Sequence, residues 1–127
     1  MTKARLLVLV AFAVGASCLY AAEKNVTLEG TLVSSACYLE SDSHPTGNDM
    51  GGRKACGSEC LKRGDPAGLV TKEKEFHVLV APSLALASYV GQQIRVTGTD
   101  HNGTIAVEEA EVAKDGSWEE INLKSKM

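Results

Sequence analysis

Alternating apolar and polar positions predict that the chain is mostly β-structure. Apolar residues occupy every second position through much of residues 25–34, which is the period of a half-buried strand. Two further apolar runs, at residues 68–71 and 76–81, flank a Lys-Glu-Lys-Glu segment, and this arrangement predicts a hairpin.

A second hairpin is predicted in the C-terminal half of the chain. The alternation returns at residues 94–98 and 104–113, and Asn102-Gly103 between them is a dipeptide that adopts a tight hairpin turn without strain. The alternation slips within the later run, which predicts a bulge near Glu108. A last strand or packed tail is predicted from three apolar residues, Trp118, Ile121 and Leu123.

One polar loop and two short helices interrupt these strands. Residues 41–52 are too polar for a regular element and predict a long loop. Residues 53–63 predict about two turns of helix that end at Gly64. Residues 82–90 predict a second helix, with Ser83 as its N-cap.

The order of these elements predicts a small OB-fold-like barrel of five or six strands. The second helix falls between the third and fourth strands, as it does in the OB-fold, and a cysteine-bearing loop and helix follow the first strand. The fold class is therefore mainly β. A chain of 127 residues suits one such domain, which we place at residues 23–127.

The first 22 residues have the three parts of a signal peptide. Lys3 and Arg5 precede an apolar stretch at residues 6–14, and small residues follow it. The stretch is short for a membrane-spanning helix, which needs about 20 apolar residues. We therefore expect an exported protein, periplasmic or secreted, with no membrane span after cleavage. Cys18 follows Gly-Ala-Ser in a degraded lipobox, so a lipoprotein attached through Cys18 is an alternative.

The balance of charge argues against nucleic acid as a partner. The chain has 13 basic and 16 acidic residues, and two of the basic residues lie in the leader. Such a surface does not attract phosphate, and the aromatic side chains that stack on bases make up only 5% of the chain. The sequence also contains no well-marked hydrolase or nucleotide-binding motif. A binding module is therefore favoured over an enzyme, with an envelope protein or a small ligand as its partner.

The cysteines are the most informative chemical feature. Of the four, Cys18 belongs to the leader, which leaves Cys37, Cys56 and Cys60. An odd number of cysteines cannot be fully paired within one molecule. Because residues four apart share one face of a helix, Cys56 and Cys60 can both face Cys37 at the end of the first strand.

The favoured interpretation of this cluster is a structural disulfide from Cys37 to Cys56 or to Cys60. Such a bond closes a loop of about 20 residues and stabilises a domain by about 3 kcal/mol. Small exported domains commonly need a cross-link of this kind. The protein is then a disulfide-stabilised binding module.

A metal site is the first alternative. Cys37, His44, Cys56 and Cys60 supply thiolate and imidazole ligands for tetrahedral Zn²⁺, and Met50 adds a soft thioether if the ion is Cu(I). The ligand types suit either ion, whereas the spacings match no standard zinc motif.

A thiol redox site is the second alternative. Cys56 and Cys60 then cycle between dithiol and disulfide, while Cys37 resolves a mixed disulfide. Active redox pairs more often have two residues between the cysteines, and this pair has three.

Three stretches of the chain carry a resemblance to known proteins. They are LEGTLVSSAC at residues 28–37, ACGSEC with GDPAGL across residues 55–69, and GQQIRVTG at residues 91–98. With them the chain resembles a loosely defined group of small exported bacterial proteins of unknown function. The resemblance implies export and an OB-like barrel with a Cys...Cys-x-x-x-Cys loop, and it implies no established activity. A histidine often precedes the second cysteine in that group, whereas Arg53 and Lys54 stand there in this chain.

Overall fold

The secondary structure is taken from a computed structural model, which describes residues 23–40, 49–50, 53–54 and 56–124. The strands found there are β1 (Lys24–Ser34), β2 (Asp49–Met50), β3 (Arg53–Lys54), β4 (Ala67–Thr71), β5 (Phe76–Val80), β6 (Gln93–His101), β7 (Thr104–Lys114) and β8 (Ser117–Glu120). The helices are α1 (Ser35–Glu40), α2 (Cys56–Lys62) and α3 (Ser83–Leu86), and a 3₁₀ turn at Ala87–Tyr89 continues α3.

Five of these strands close into a barrel. β1 lies between β4 and β6, while β5 borders β4 and β7 borders β6, all in antiparallel pairs. A short parallel pairing of β5 with β7 joins the two ends, with Leu79 opposite Ile105. β8 pairs with the C-terminal part of β7, at residues 111–114, and lies outside the closed barrel. The prediction of a mainly β barrel of five or six strands is thus confirmed at the level of architecture.

The barrel interior is filled by alternate residues of its strands, as the period of two requires. Leu32, Leu69 and Ile105 are fully buried there. Val33 is fully buried as well, although it points to the opposite face of β1 from Leu32. α1 and α2 contact β1, so the end of β1 that leads to Cys37 is covered on both faces.

The predicted bulge lies at Glu108. Thr97 pairs with Glu109 and the next residue, Gly98, pairs with Val107, so Glu108 has no partner on β6. A Cβ atom on Gly98 would overlap the carbonyl group of Ala106. Glycine therefore permits the close approach of β6 and β7 at the bulge.

The helix between the third and fourth barrel strands is confirmed, but its predicted cap is wrong. α3 begins at Ser83, and Pro82 occupies the N-cap position without a side-chain hydrogen bond. The backbone carbonyl of Pro82 accepts a hydrogen bond from the N–H of Ala85 at 3.0 Å. Ser83 is therefore the first helical residue and not the cap, because proline already supplies the extended backbone that precedes a helix.

The elements around the cysteines differ from the prediction in two ways. α1 follows β1 directly and was not predicted. The helix predicted from residue 53 begins instead at Cys56, because Arg53–Lys54 pairs with Asp49–Met50 as a two-residue antiparallel ladder. The strand Asp49–Met50 replaces part of the loop predicted at residues 41–52, of which residues 41–48 and 51–52 lie outside the described residues.

No helix among the described residues is long and apolar enough to cross a membrane. The predicted signal peptide at residues 1–22, including Cys18 as the alternative lipid attachment point, lies outside those residues.

Candidate metal centre

The start of α1 places Cys37. Ser34 ends β1, and its hydroxyl accepts a hydrogen bond from the backbone N–H of Cys37 at 3.4 Å, which is the contact of a serine N-cap. The N–H of Ser35 donates to the carbonyl of Pro66 at 3.0 Å. These two bonds hold α1 against the segment that follows α2. Cys37 is only 4% exposed as a result.

α2 places the other two cysteines on one face. The helix ends in a pair of capping bonds, from the N–H of Gly64 to the carbonyl of Leu61 and from the N–H of Asp65 to the carbonyl of Cys60. Gly64 has the positive φ of 98° that this ending requires, so the predicted helix end is confirmed. Cys60 is 7% exposed, whereas Cys56 in the first turn is partly exposed.

The sulfur atoms of the three cysteines converge. The Sγ atom of Cys37 lies 3.5 Å from that of Cys60 and 3.8 Å from that of Cys56. All three sulfur atoms lie within 4.8 Å of one another. A tetrahedral zinc ion with Zn–S bonds of about 2.3 Å separates two of its sulfur ligands by about 3.8 Å. The cluster therefore has the dimensions of a thiolate metal site, and these three cysteines could hold a metal ion such as Zn²⁺.

A cationic side chain among the described residues touches the cluster. The guanidinium of Arg63 donates a hydrogen bond from Nη2 to the Sγ atom of Cys60 at 3.3 Å. Because Arg63 is three residues after Cys60, its side chain reaches back along α2 to the sulfur. Sequence reasoning did not single out Arg63, although this spacing was the signal that could have found it.

Burial raises the pKa of the Cys60 thiol above its ordinary value of 9.0. The hydrogen bond with Cys37 and the charge of that neighbour raise the pKa further, and the charge of Asp65 adds to them, whereas Arg63 acts in the opposite direction. Without a metal ion the cluster therefore favours the neutral thiol of Cys60. A metal ion has to displace that proton in order to bind.

The predicted disulfide is not formed in this structure. Cys37, Cys56 and Cys60 are all free thiols, and the sulfur separations of 3.5 and 3.8 Å are well above the bond length of about 2.05 Å. In this arrangement Cys37 contacts both cysteines of α2 at nearly the same distance, instead of being paired with one of them.

The other predicted ligands are not tested by the structure. His44 lies outside the described residues, and Met50 is described only as part of β2, without its side chain. Both stay predictions. Of the predicted ligand set, the structure thus brings together the three sulfur atoms of Cys37, Cys56 and Cys60.

Comparison with protein-family models, with curated proteins and with solved structures finds no match for this chain. The resemblance to small exported bacterial proteins therefore rests on the three sequence stretches alone, and no family is identified.

Proposed function

We propose that the protein is an exported metal-binding module that holds one thiophilic cation through Cys37, Cys56 and Cys60. The observation that carries this proposal is the convergence of the three sulfur atoms within 4.8 Å. Zn²⁺ is the ion proposed, and Cu(I) is the alternative, since thiolate ligands suit both.

The surroundings of the sulfur atoms support a metal more than a purely structural cluster. Three metal-bound thiolates this close together carry a negative charge that cations have to balance. The hydrogen bond from Arg63 to Cys60 supplies part of that balance from outside the ligand set, as residues next to metal ligands commonly do. A bound Zn²⁺ ion supplies the rest.

The scaffold supports a site that is held in place before the ion arrives. Cys37 is fixed by the capped start of α1, and Cys60 by the closed end of α2. Neither anchor depends on the metal. We therefore expect binding without a large change in the barrel, and a fourth zinc position filled by His44, by Met50 or by water.

The proposal extends to the fold type and the location of the protein. An OB-fold has five barrel strands with a helix between the third and the fourth, and the barrel of β1, β4, β5, β6 and β7 with α3 has this order. The leader-like first 22 residues support export, to the periplasm or beyond. An envelope protein that exchanges metal with the cluster, or a small ligand that completes its coordination, is the proposed partner.

The test is a metal titration of the reduced full chain against a coloured competing chelator. We expect one Zn²⁺ per chain, and loss of tight binding in Cys56→Ser and in Cys37→Ser. Cys18→Ser is the matched control, because it removes the fourth cysteine of the chain and leaves Cys37, Cys56 and Cys60 unchanged. A parallel titration with Cu(I) under reducing conditions ranks the two ions.

The competing interpretation, a structural disulfide, makes the opposite prediction. The native protein, alkylated without prior reduction, would then show a mass two hydrogens lower and one alkyl group among Cys37, Cys56 and Cys60. Equal zinc binding by the original chain and by Cys56→Ser would also contradict the proposal.

A further inference from the structure

The three cysteines differ in their access to solvent. Cys37 and Cys60 are 4% and 7% exposed, whereas Cys56 is only partly buried. A thiolate attacks an external disulfide in line with the S–S bond of that disulfide. The sulfur of the attacking cysteine must therefore be accessible from solvent. Among these three thiols, Cys56 is therefore the one that a small disulfide can reach.

Within the cluster, the sulfur atom of Cys56 contacts that of Cys37. Their sulfur atoms are 3.8 Å apart, and they belong to different helices, α1 and α2. Cys60 lies on the same helix as Cys56, and its sulfur contacts Cys37 at 3.5 Å and Arg63 at 3.3 Å. Cys37 is thus the thiol best placed to attack a sulfur bound to Cys56.

From this arrangement we propose that the cluster carries out thiol–disulfide exchange with small disulfides, with Cys56 as the attacking thiol and Cys37 as the resolving thiol. The alternative predicted from sequence also let Cys37 resolve a mixed disulfide, but it made Cys56 and Cys60 the redox pair. Here the pair is Cys56 and Cys37. The geometry favours Cys37 because it bridges the two helices, so that closing its bond to Cys56 joins two separate elements.

The exchange has two balanced steps. The thiolate of Cys56 attacks one sulfur of a disulfide RSSR, which forms a mixed disulfide at Cys56 and releases one RS⁻. The thiolate of Cys37 then attacks the Sγ atom of Cys56, which forms the Cys37–Cys56 disulfide and releases the second RS⁻. The protein loses two electrons, RSSR gains them, and the two thiol protons leave with the released thiolates as two RSH.

The exchange also regulates the proposed metal site, and this consequence rests on the proposed function. A Cys37–Cys56 disulfide removes two of the three sulfur ligands in a single event. Only Cys60 is left, and one thiolate does not hold Zn²⁺ as three do. Oxidation by a small disulfide therefore releases the ion, and a reductant restores the site.

The test measures the small thiol that the reduced full chain releases when it reacts with oxidised glutathione in the presence of a chelator. All variants carry Cys18→Ser, so that only the cluster is counted. We expect two thiols released per chain from the Cys18→Ser background and from its Cys60→Ser variant. In contrast, Cys37→Ser releases one thiol and retains one glutathione adduct on Cys56. Cys56→Ser reacts about tenfold more slowly, because its remaining thiols are buried.

Two results would overturn the inference. Release of two thiols from Cys37→Ser would make Cys60 the resolving residue, and an unchanged rate in Cys56→Ser would place the first attack elsewhere. Because Cys37 is buried, Cys37→Ala is measured beside Cys37→Ser, and circular dichroism selects the folded variant for the comparison. The chelator keeps this outcome separate from the proposed function, since the exchange is measured without metal and zinc release is measured afterwards on the loaded protein.

Discussion

Arg63 is a cationic residue that touches the cysteine cluster and influences its charge. Its guanidinium donates to the Sγ atom of Cys60, and it lowers the pKa that burial has raised. Removing it leaves the bound thiolates with less compensation. The expected effect is therefore on metal affinity and on its pH dependence more than on the fold.

We predict that Arg63→Gln weakens zinc binding about tenfold, at the lower end of the range for residues next to metal ligands. Binding should also require a higher pH than in the original chain, because the Cys60 thiol loses the cation that favours its ionised form. Lys62→Gln is the matched control, since it removes the neighbouring cation. The ammonium group of Lys62 pairs with the exposed carboxylate of Glu59 at 2.8 Å. Equal losses in the two variants would contradict a specific role for Arg63. Chelator competition at several pH values measures both effects.

Because of Cys60, the stability of the metal-free protein varies with pH in the alkaline range. Its pKa in the folded state lies above the ordinary 9.0, so the unfolded chain releases this proton at a lower pH than the folded chain does. The free energy of unfolding is thus unaffected by Cys60 below about pH 9 and falls as the pH rises through the folded pKa, by at most about 1.4 kcal/mol per pH unit.

This prediction is checked by urea unfolding with reductant and chelator between neutral and alkaline pH. As the pH rises above about 9, the free energy of unfolding of the original chain should fall relative to that of Cys60→Ser. A difference that stays constant with pH would show that Cys60 ionises alike in both states.

The sequence predicted some of the residues that form the site, but not how they interact. The spacing of Cys56 and Cys60 predicted that both face Cys37, and the three sulfur atoms do converge. The sequence could not predict whether the cysteines form a disulfide or remain thiols. That outcome depends on sulfur separations of 3.5 and 3.8 Å, which are set by the packing of α1 on α2. The role of Arg63 depends on the same packing.

At the scale of elements, the stability of α1 depends more on hydrogen bonds to residues outside the helix than on the helix propensity of its own six residues. Six residues are too few for a helix to be stable in isolation, and too few for a period of 3.6 to be recognised. The hydrogen bond to Ser34 and the bond from Ser35 to Pro66 supply what the short helix lacks. This explains why the strands were predicted from their alternation whereas α1 was missed.

We predict that Ser34→Ala destabilises the protein by about 1 kcal/mol, the usual effect of removing a serine N-cap. Zinc affinity should fall with it, because Cys37 loses the bond that places its helix turn. Ser83→Ala is the matched control, since that serine is also at the start of a short helix but does not cap it. Urea unfolding and zinc titration of both variants give the comparison, and equal stability losses would contradict the role of Ser34.

At the scale of the whole molecule, a metal ion bound only by the folded state stabilises that state by mass action. The ligands come from α1 and α2, which meet only when the chain is folded. We predict that free Zn²⁺ at 100 times its dissociation constant raises the free energy of unfolding by about 2.7 kcal/mol. The original chain should show this shift in thermal or urea unfolding, and Cys56→Ser should not. A shift of equal size in both would place the ion outside the cluster.

The barrel also depends on the close approach of β6 and β7 at the bulge. A Cβ at Gly98 would overlap the carbonyl of Ala106, so we predict that Gly98→Ala destabilises the protein by about 2 kcal/mol or more. Gly103→Ala is the matched control, because Gly103 has a positive φ of 92° but open space around it, so its cost is that of the backbone strain alone, about 1 to 2 kcal/mol. The urea midpoints of the two variants rank the effects. A smaller loss for Gly98→Ala would show that the strands can separate there.

The central position of β1 in the barrel has a consequence for the order of events during synthesis. β1 pairs with β6, and the hydroxyl groups of Thr27 and Thr97, which are 70 residues apart, lie within hydrogen-bond distance across that pair. At about 5 to 20 residues per second, a ribosome needs roughly 4 to 14 s to add that length. All three cysteines precede β6, so they emerge while β1 still lacks its second neighbour. From Cys60 to Thr97 the ribosome adds 37 residues, which takes roughly 2 to 7 s. For that time all three nascent thiols meet metals and oxidants without the shelter of the finished barrel, and the first encounter can decide which form folds.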